Sequence, residues 1–271
     1  MTRIAVLQMT SGIDPEENFR TIERAAADAG EGGAAILFTP EMSLLLDRDR
    51  KRGAATIADS AYARFPERLS EIAADTCVDI ALGSMPVPAG EKLANRAYYF
   101  AASGARPVTY DKMHMFDVDL ATGESWRESN AYEAGNKPVI VEDTPLGRLG
   151  LAICYDLRFP ALFDALGRQQ CDCISIPAAF TVPTGQAHWH VLQRARAIEA
   201  SAFVVAAAQV GEHADGRTTY GHSLVIDPWG EVLLDMGGDK AGLGFADIDL
   251  SRIEEVRAQV PSLANRREID K

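Results

Sequence analysis

Three ionisable side chains follow apolar runs in the same way. Glu41 closes "AAILFTPE", Lys112 closes "ARPVTYDK" and Cys154 closes "LGLAIC". Each alone has an ordinary explanation. A Glu before a loop is usually solvated, a Lys after a hairpin usually points to water, and free Cys is among the most buried residue types. Together, at the ends of three strand-like runs, they suggest one shared location, because α/β sheets bind ligands at the carboxyl ends of their strands. The trio suits nucleophilic acyl transfer. A free thiol is only roughly 3% thiolate at neutral pH. A neighbouring carboxylate can take its proton, and a lysine ammonium can stabilise the anion. Sulfur attack on a carbonyl creates an oxyanion, for which Lys112 and the backbone N–H of Tyr155 are suitable donors. Glu41 could then protonate an amine leaving group and activate water. That double duty favours a raised pKa, as partial burial would supply. A helix starting near Pro160 would add its N-terminal dipole.

Rival constellations are weaker. His188 and His190 form an H-x-H pair, but on a helix residues two apart point in different directions, so joint metal ligation is not expected. Cys171 and Cys173 lack further ligands nearby and read as buried structural thiols. There is no phosphate loop, H-E-x-x-H or G-x-S-x-G motif. A Cys–His pair with His114 or His222 as base remains open, as does a different class: a binding module, or a redox sensor built on Cys154.

The elements that must position these groups alternate along the chain. Strands are expected at 3–8, 34–41, 78–85, 173–180, 203–209 and 243–250. Hairpins are expected over 95–112, turning at Ser103-Gly104, over 137–154, turning near Pro145-Leu146-Gly147, and over 221–235, around Trp229-Gly230. Helices are expected at 14–29, with Asp14 as N-cap and Pro15 at N1, at 60–76 with an irregularity at Pro66, and at 160–170, 185–202 and 251–260. No repeat or linker interrupts them, so residues 1–271 read as one α/β domain, with either one wide sheet or two packed sheets buried under helices.

Composition narrows the partners. The 271 residues carry a formal charge of −12, which argues against nucleic-acid or anionic-membrane partners. No apolar run approaches a membrane span, and "MTRIAVLQMT" reads as a short strand rather than a signal peptide. Four cysteines with no Cys-x-x-Cys pair suggest neither a disulfide framework nor a zinc site. A cytoplasmic location is expected.

"TPEMS", "YDKMHMFD" and "ICYDLRFP" together resemble the three signature segments of the nitrilase superfamily of carbon–nitrogen hydrolases, in order and approximate spacing, over nearly the whole chain. The resemblance implies a four-layer α-β-β-α sandwich that usually dimerises through a helical face, and a cofactor-free amidase with a Glu41–Lys112–Cys154 triad acting through a thioester. "WRESNAYEAG" is similar to the segment holding the family's second glutamate and maps it onto Glu128, with Glu133 as competitor. "PAAFTVPTGQAHWHVLQRARAIEASAFVVAAAQVGEH" and "YGHSLVIDPWG" resemble the Nit branch, closer to its deaminated-glutathione amidases than to its ω-amidases. The loop "MHMFDVDLATGESW" departs from the eukaryotic members. Substrates in this branch are α-keto-acid amides, so Arg158 is expected to grip a carboxylate, with Phe180 and Thr184 lining the pocket. An internal ion pair of Arg158 with Asp156 or Glu128 is the competing reading. Nitriles, N-carbamoyl amino acids and ω-amides are the alternative substrates.

Overall fold

Burial alternates residue by residue along the first strands. In β1 (Thr2–Gln8), Ile4 and Val6 enter one apolar core while Ala5 and Leu7 enter another. The same division separates Ile36 and Phe38 from Leu37 in β2 (Ile36–Phe38). Opposite faces of a strand point in opposite directions, so this sheet is covered on both sides. The computed structural model describes residues 1–119, 123 and 125–267.

The first sheet continues with β3 (Asp79–Ala89), β4 (Lys92–Phe100) and β5 (Val108–Asp111). A small hairpin, β6 (Asp117–Asp119) and β7 (Ser125–Arg127), leads to the second sheet. That sheet holds β8 (Val139–Thr144), β9 (Gly147–Leu151), β10 (Cys173–Ser175) and β11 (Phe203–Ala206). After a second small hairpin, β12 (Val210–Glu212) and β13 (Thr218–Tyr220), it gains β14 (Leu224–Ile226) and β15 (Val232–Asp235). The last strand, β16 (Gly242–Ile248), returns to the first sheet beside β1.

The orders are β16-β1-β2-β3-β4-β5 and β15-β14-β11-β10-β9-β8. Each sheet has a parallel centre, β1-β2-β3 or β9-β10-β11, with antiparallel strands on both sides. Their inner faces share one core: Val6, Phe38 and Tyr99 from the first sheet join Leu149, Cys173 and Phe203 from the second. Helices α1 (Pro15–Glu31) and α3 (Phe65–Thr76) cover the outer face of the first sheet through Phe19, Ile22 and Leu69. Helices α4 (Pro160–Arg168) and α5 (Val182–Ala200) cover the second through Phe163, Leu166 and Ala197. The result is an α-β-β-α sandwich, so the two-sheet alternative holds. Helix α2 (Arg50–Ile57), capped by the Asp49 side chain, was not expected, and α6 (Ser251–Gln259) was.

Several strands are shorter than their apolar runs. Residues 39–41, 152–154 and 176–180 are largely buried but have left the ladders. These are the segments that carry Glu41 and Cys154.

Candidate active site

Glu41 is delivered by a turn that crosses β3. A Cβ on Gly83 would lie 2.2 Å from Thr39 O and 2.3 Å from Pro40 O, so only glycine lets the two backbones approach. The Glu41 carboxylate is buried. Its Oε1 accepts from Lys112 Nζ and Asn95 Nδ2, both at 2.9 Å, and its Oε2 accepts from Ala179 N at 2.9 Å. The main-chain oxygen of Glu41 accepts from Gln209 Nε2 at 3.0 Å. Ala179 and Gln209 follow β10 and β11, so the second sheet fixes a residue carried by the first.

Lys112 directly follows β5. Its N–H donates to Asn95 O at 3.0 Å, which places Asn95 of β4 alongside it. The ammonium, 2% exposed, donates to Glu41 Oε1 and also to Glu128 Oε2 at 2.9 Å and Oε1 at 3.1 Å. Glu128 additionally accepts from Phe116 N at 2.7 Å and Asn95 Nδ2 at 3.2 Å. Gly135 closes the Glu128 segment onto β5: a Cβ there would lie 2.1 Å from Asp111 O. Glu133, by contrast, is exposed and does not line the cavity.

Cys154 lies three residues past β9 in the left-handed region, at φ 47°. A side chain there costs on the order of 1–3 kcal/mol, a strain that clusters at functional sites. Its N–H donates to Pro177 O at 2.8 Å, and its thiol opens into the same cavity as the Glu41 carboxylate. It opens a one-turn 3₁₀ helix, Cys154–Arg158. This turn separates Cys154 from α4, so the α4 dipole expected at the nucleophile is not adjacent to it. Among the described residues no acceptor takes the Tyr155 N–H, while Asp156 N bonds Ile153 O at 3.0 Å.

The charges act together. Burial pushes the Cys154 thiol well up, and the neighbouring Glu41 carboxylate adds to this against the opposing pull of Lys112. Burial also acts against the Lys112 ammonium, but Glu128 and Glu41 outweigh it, and its pKa ends well above the ordinary value. Glu41 departs from expectation. Burial raises its pKa, yet Lys112 and the hydrogen bonds to its carboxylate outweigh burial, so the net shift is downward. The site therefore rests as thiol, carboxylate and ammonium.

Cys154, Glu41 and Lys112 line a cavity of about 580 Å³ together with Glu128, Tyr155, Phe180 and Thr184. The chain matches the carbon–nitrogen hydrolase family over residues 3–258. It belongs to that family. A deaminated glutathione amidase from Synechocystis is 42% identical over 267 residues, covering 97% of each chain. The NitFhit protein of C. elegans superposes with a TM-score of 0.89 at 35% identity, over 98% of this chain and 65% of its own. The amidase from Nesterenkonia sp. AN1, of the nitrilase superfamily, has a TM-score of 0.80 at 26% identity, covering 96% of this chain and 98% of that one. It has been solved with acrylamide added at its active-site cysteine.

The remaining sequence-expected residues of this hydrolase divide. Phe180 packs on Trp189 with ring centroids 5.0 Å apart, and Thr184 Oγ1 bonds Thr181 Oγ1 at 2.7 Å near the start of α5. Arg158 does not line the cavity. Its guanidinium lies over the Tyr155 and Phe180 rings, 5.9 and 5.3 Å from their centroids, and touches His188 Nδ1 at 3.3 Å. Neither competing ion pair forms. The histidine bases do not reach the thiol either: His114 bonds Asp156 and stacks on Phe159, and His222 pairs with Asp235. Among the described residues the one grouping that could meet a metal is His190, His222 and Asp235, which does not line the cavity. His188 and His190 diverge as their spacing requires, one toward Arg158 and the other toward Asp235.

Two positioning residues escaped sequence reasoning. Asn95 donates to both carboxylates, which leaves its own buried Oδ1 without a partner. Asp156 is fully buried. Its Oδ2 accepts from Tyr110 Oη at 2.7 Å and Ile153 N at 2.9 Å. Its Oδ1 accepts from His114 N at 3.0 Å and His114 Nδ1 at 2.7 Å. It ties the Cys154 turn to the loop that follows Lys112. A polar residue inside an apolar strand and an acid two places after the cysteine were the available signals.

Proposed function

We propose that this hydrolase is an amidase working through a Cys154 thioester on deaminated glutathione, or on a closely related α-keto-acid amide. The observation that carries the reading is Cys154 and Glu41 facing one cavity, with Lys112 Nζ held between Glu41 and Glu128 at its floor. Glu41 takes the thiol proton as sulfur attacks the amide carbon. Lys112 and the Tyr155 N–H donate to the oxyanion. The tetrahedral adduct expels the amine, which leaves with the proton from Glu41. Glu41 then deprotonates water, hydroxide adds to the thioester, and the sulfur departs to recover its proton. Glu128 and Asn95 hold the lysine and the general base in place.

The proton moves between two groups of one buried cluster, so its net charge is the same before and after sulfur is activated. A resting thiol is compatible with this, because the base belongs to the same buried cluster. The curated relative supports the substrate class through its name, and the acrylamide adduct in the Nesterenkonia enzyme supports a nucleophilic cysteine. We further read the protein as a cytoplasmic homodimer. Its four cysteines are free, which fits a reducing compartment. Exposed Val191 and Ile198 on α5, beside exposed Trp229, offer an apolar face for a second copy.

The test is turnover of deaminated glutathione beside an ω-amide, a nitrile and an N-carbamoyl amino acid, with intact-mass detection of the acyl-enzyme. Cys154→Ala is expected to lose turnover and adduct while keeping its fold. Wild-type-like turnover in that variant sinks the mechanism, and preference for another member of the panel replaces the substrate.

A further inference from the structure

The cavity has two differently charged ends. Its floor is the buried cluster of Glu41, Lys112, Glu128 and Cys154. Its mouth is lined by the exposed side chains of Arg48, Arg50, Lys92 and Arg127, with half-buried Arg217. This excess of cations is local, because the whole chain carries −12. The acids at the mouth are Asp47, already bound by Arg52 at 2.6 Å, and Glu91. Arg127 and Arg217 have carboxylate partners in Asp119 and Asp215. Among the described residues, Arg48, Arg50 and Lys92 have none.

The arrangement is built rather than scattered. Asp215 Oδ2 accepts from the main-chain N of Arg48 at 2.9 Å and from Arg217 Nε at 2.7 Å, which gathers the two residues. Both guanidiniums lie over the Trp126 ring, 5.7 and 5.2 Å from its centroid. The buried indole Nε1 of Trp126 has no acceptor among the described residues. Two guanidiniums thus converge on one aromatic wall of the cavity.

The chemistry says which part of the substrate meets them. In a thioester pathway the acyl group stays on Cys154 while the amine leaves and water enters. The leaving amine and the entering water need a route to solvent, and the mouth supplies one. We infer that Arg48 and Arg217, gathered on Trp126 and assisted by Arg50 and Lys92, form an anion subsite that holds a carboxylate on the amine half of the substrate. This rests on the amidase reading above and extends it: the preferred leaving group is an acidic amine such as a peptide with a free C-terminus. Guanidinium donors suit a carboxylate, and the aromatic wall keeps the guanidiniums in place.

The experiment compares deaminated glutathione with its C-terminal carboxamide, which differs only in the distal charge. The wild-type KM is expected to be about tenfold lower for the carboxylate, the lower end for a charge-assisted contact because the mouth is open to solvent. That preference collapses in Arg48→Gln, is partly restored in Arg48→Lys, and weakens with added salt in the wild type. Arg48 is exposed and forms no ion pair among the described residues, so the variant keeps its fold. Equal KM values for the two compounds in the wild type, or an unchanged ratio in Arg48→Gln, overturn the subsite while leaving the amidase intact. Failure of the wild type to turn over either compound refutes the amidase reading and takes the subsite with it.

Discussion

Asp156→Asn isolates a residue that touches no substrate yet is expected to matter to both fold and rate. The carboxylate accepts four hydrogen bonds, from Tyr110 Oη, Ile153 N and two donors of His114. An amide can supply only one accepting oxygen. If its nitrogen replaces Oδ2, it confronts the Ile153 N–H, and if it replaces Oδ1, it confronts the His114 N–H. Tyr110 and the His114 ring can reverse roles, but a backbone N–H cannot. Either orientation leaves one buried donor facing another, at about 1–3 kcal/mol. Loss of charge assistance on the remaining bonds adds about 1 kcal/mol. The expected destabilisation is about 2–4 kcal/mol, or on the order of 4–7 °C in Tm for a chain of this size. The same change loosens the turn that sets the φ of Cys154, and displacing a reacting group by about 1 Å can cost about 100-fold in rate. Urea melts give the first quantity and kcat on an α-keto amide, measured well below Tm, gives the second. A variant within about 0.5 kcal/mol of the wild type with undiminished kcat would refute the assignment of Asp156 as the strut of this turn.

Two further outcomes follow from the site. The downward shift of Glu41 and the upward shifts of Lys112 and Cys154 move all three ionisations away from neutrality, so kcat/KM is expected to be flat from about pH 5 to 9; an acid limb centred above 6 in initial-rate profiles contradicts the lowered Glu41. The same shifts set stability: the Glu41 contribution is present above its ordinary value of 4.5 and is lost as pH falls through the lowered folded value, and that of Lys112 is present below 10.5 and is lost as pH rises through the raised one. Gly83→Ala drives a methyl into the Thr39 and Pro40 carbonyls and is expected to cost about 1–3 kcal/mol together with most of the activity, because the displaced segment carries Glu41; a melt and a rate equal to the wild type show that the crossing tolerates a side chain.

The strand ends were legible because an apolar run followed by a charged residue leaves little choice of position. The strand lengths were not. Thr39–Glu41 and Ile176–Phe180 are buried yet outside the ladders, and hydropathy reports burial rather than hydrogen bonding. Helix α2 hides in the charge-rich "DRDRKRGAATI", where only Asp49 marks the start. The hairpin of β6 and β7 has too little apolar alternation to announce itself. The pKa of Glu41 was misjudged in direction because burial was weighed without Lys112 at 2.9 Å, and that proximity depends on pairing between strands far apart in sequence. Arg158 is the most instructive case. Its place four residues after the nucleophile suggested a grip on substrate, but a one-turn helix carries it behind the rings of Tyr155 and Phe180. The cations that do line the cavity come from positions 48, 50, 92, 127 and 217, and no local pattern connects them.

The reason such a site belongs on this sandwich lies in how its parts are shared. Glu41 and Lys112 leave the first sheet, and Cys154 leaves the second. Each sheet supplies bonds that the other needs: Ala179 and Gln209 hold Glu41 from across the seam, and Asp156 reaches back to Tyr110 and His114. The parallel bridges Met9–Gln209 and Ala178–Ala208 lie at the carboxyl ends of strands, and the first joins the two sheets. Catalytic geometry must hold to a fraction of an ångström, and a seam between two sheets can meet that demand only if their shared core is packed without slack. Cys154 and Glu41 meet only when the sheets are correctly seated. Assembly of the site therefore depends on how the sheets seat, and a loosened core would cost activity before it cost the fold.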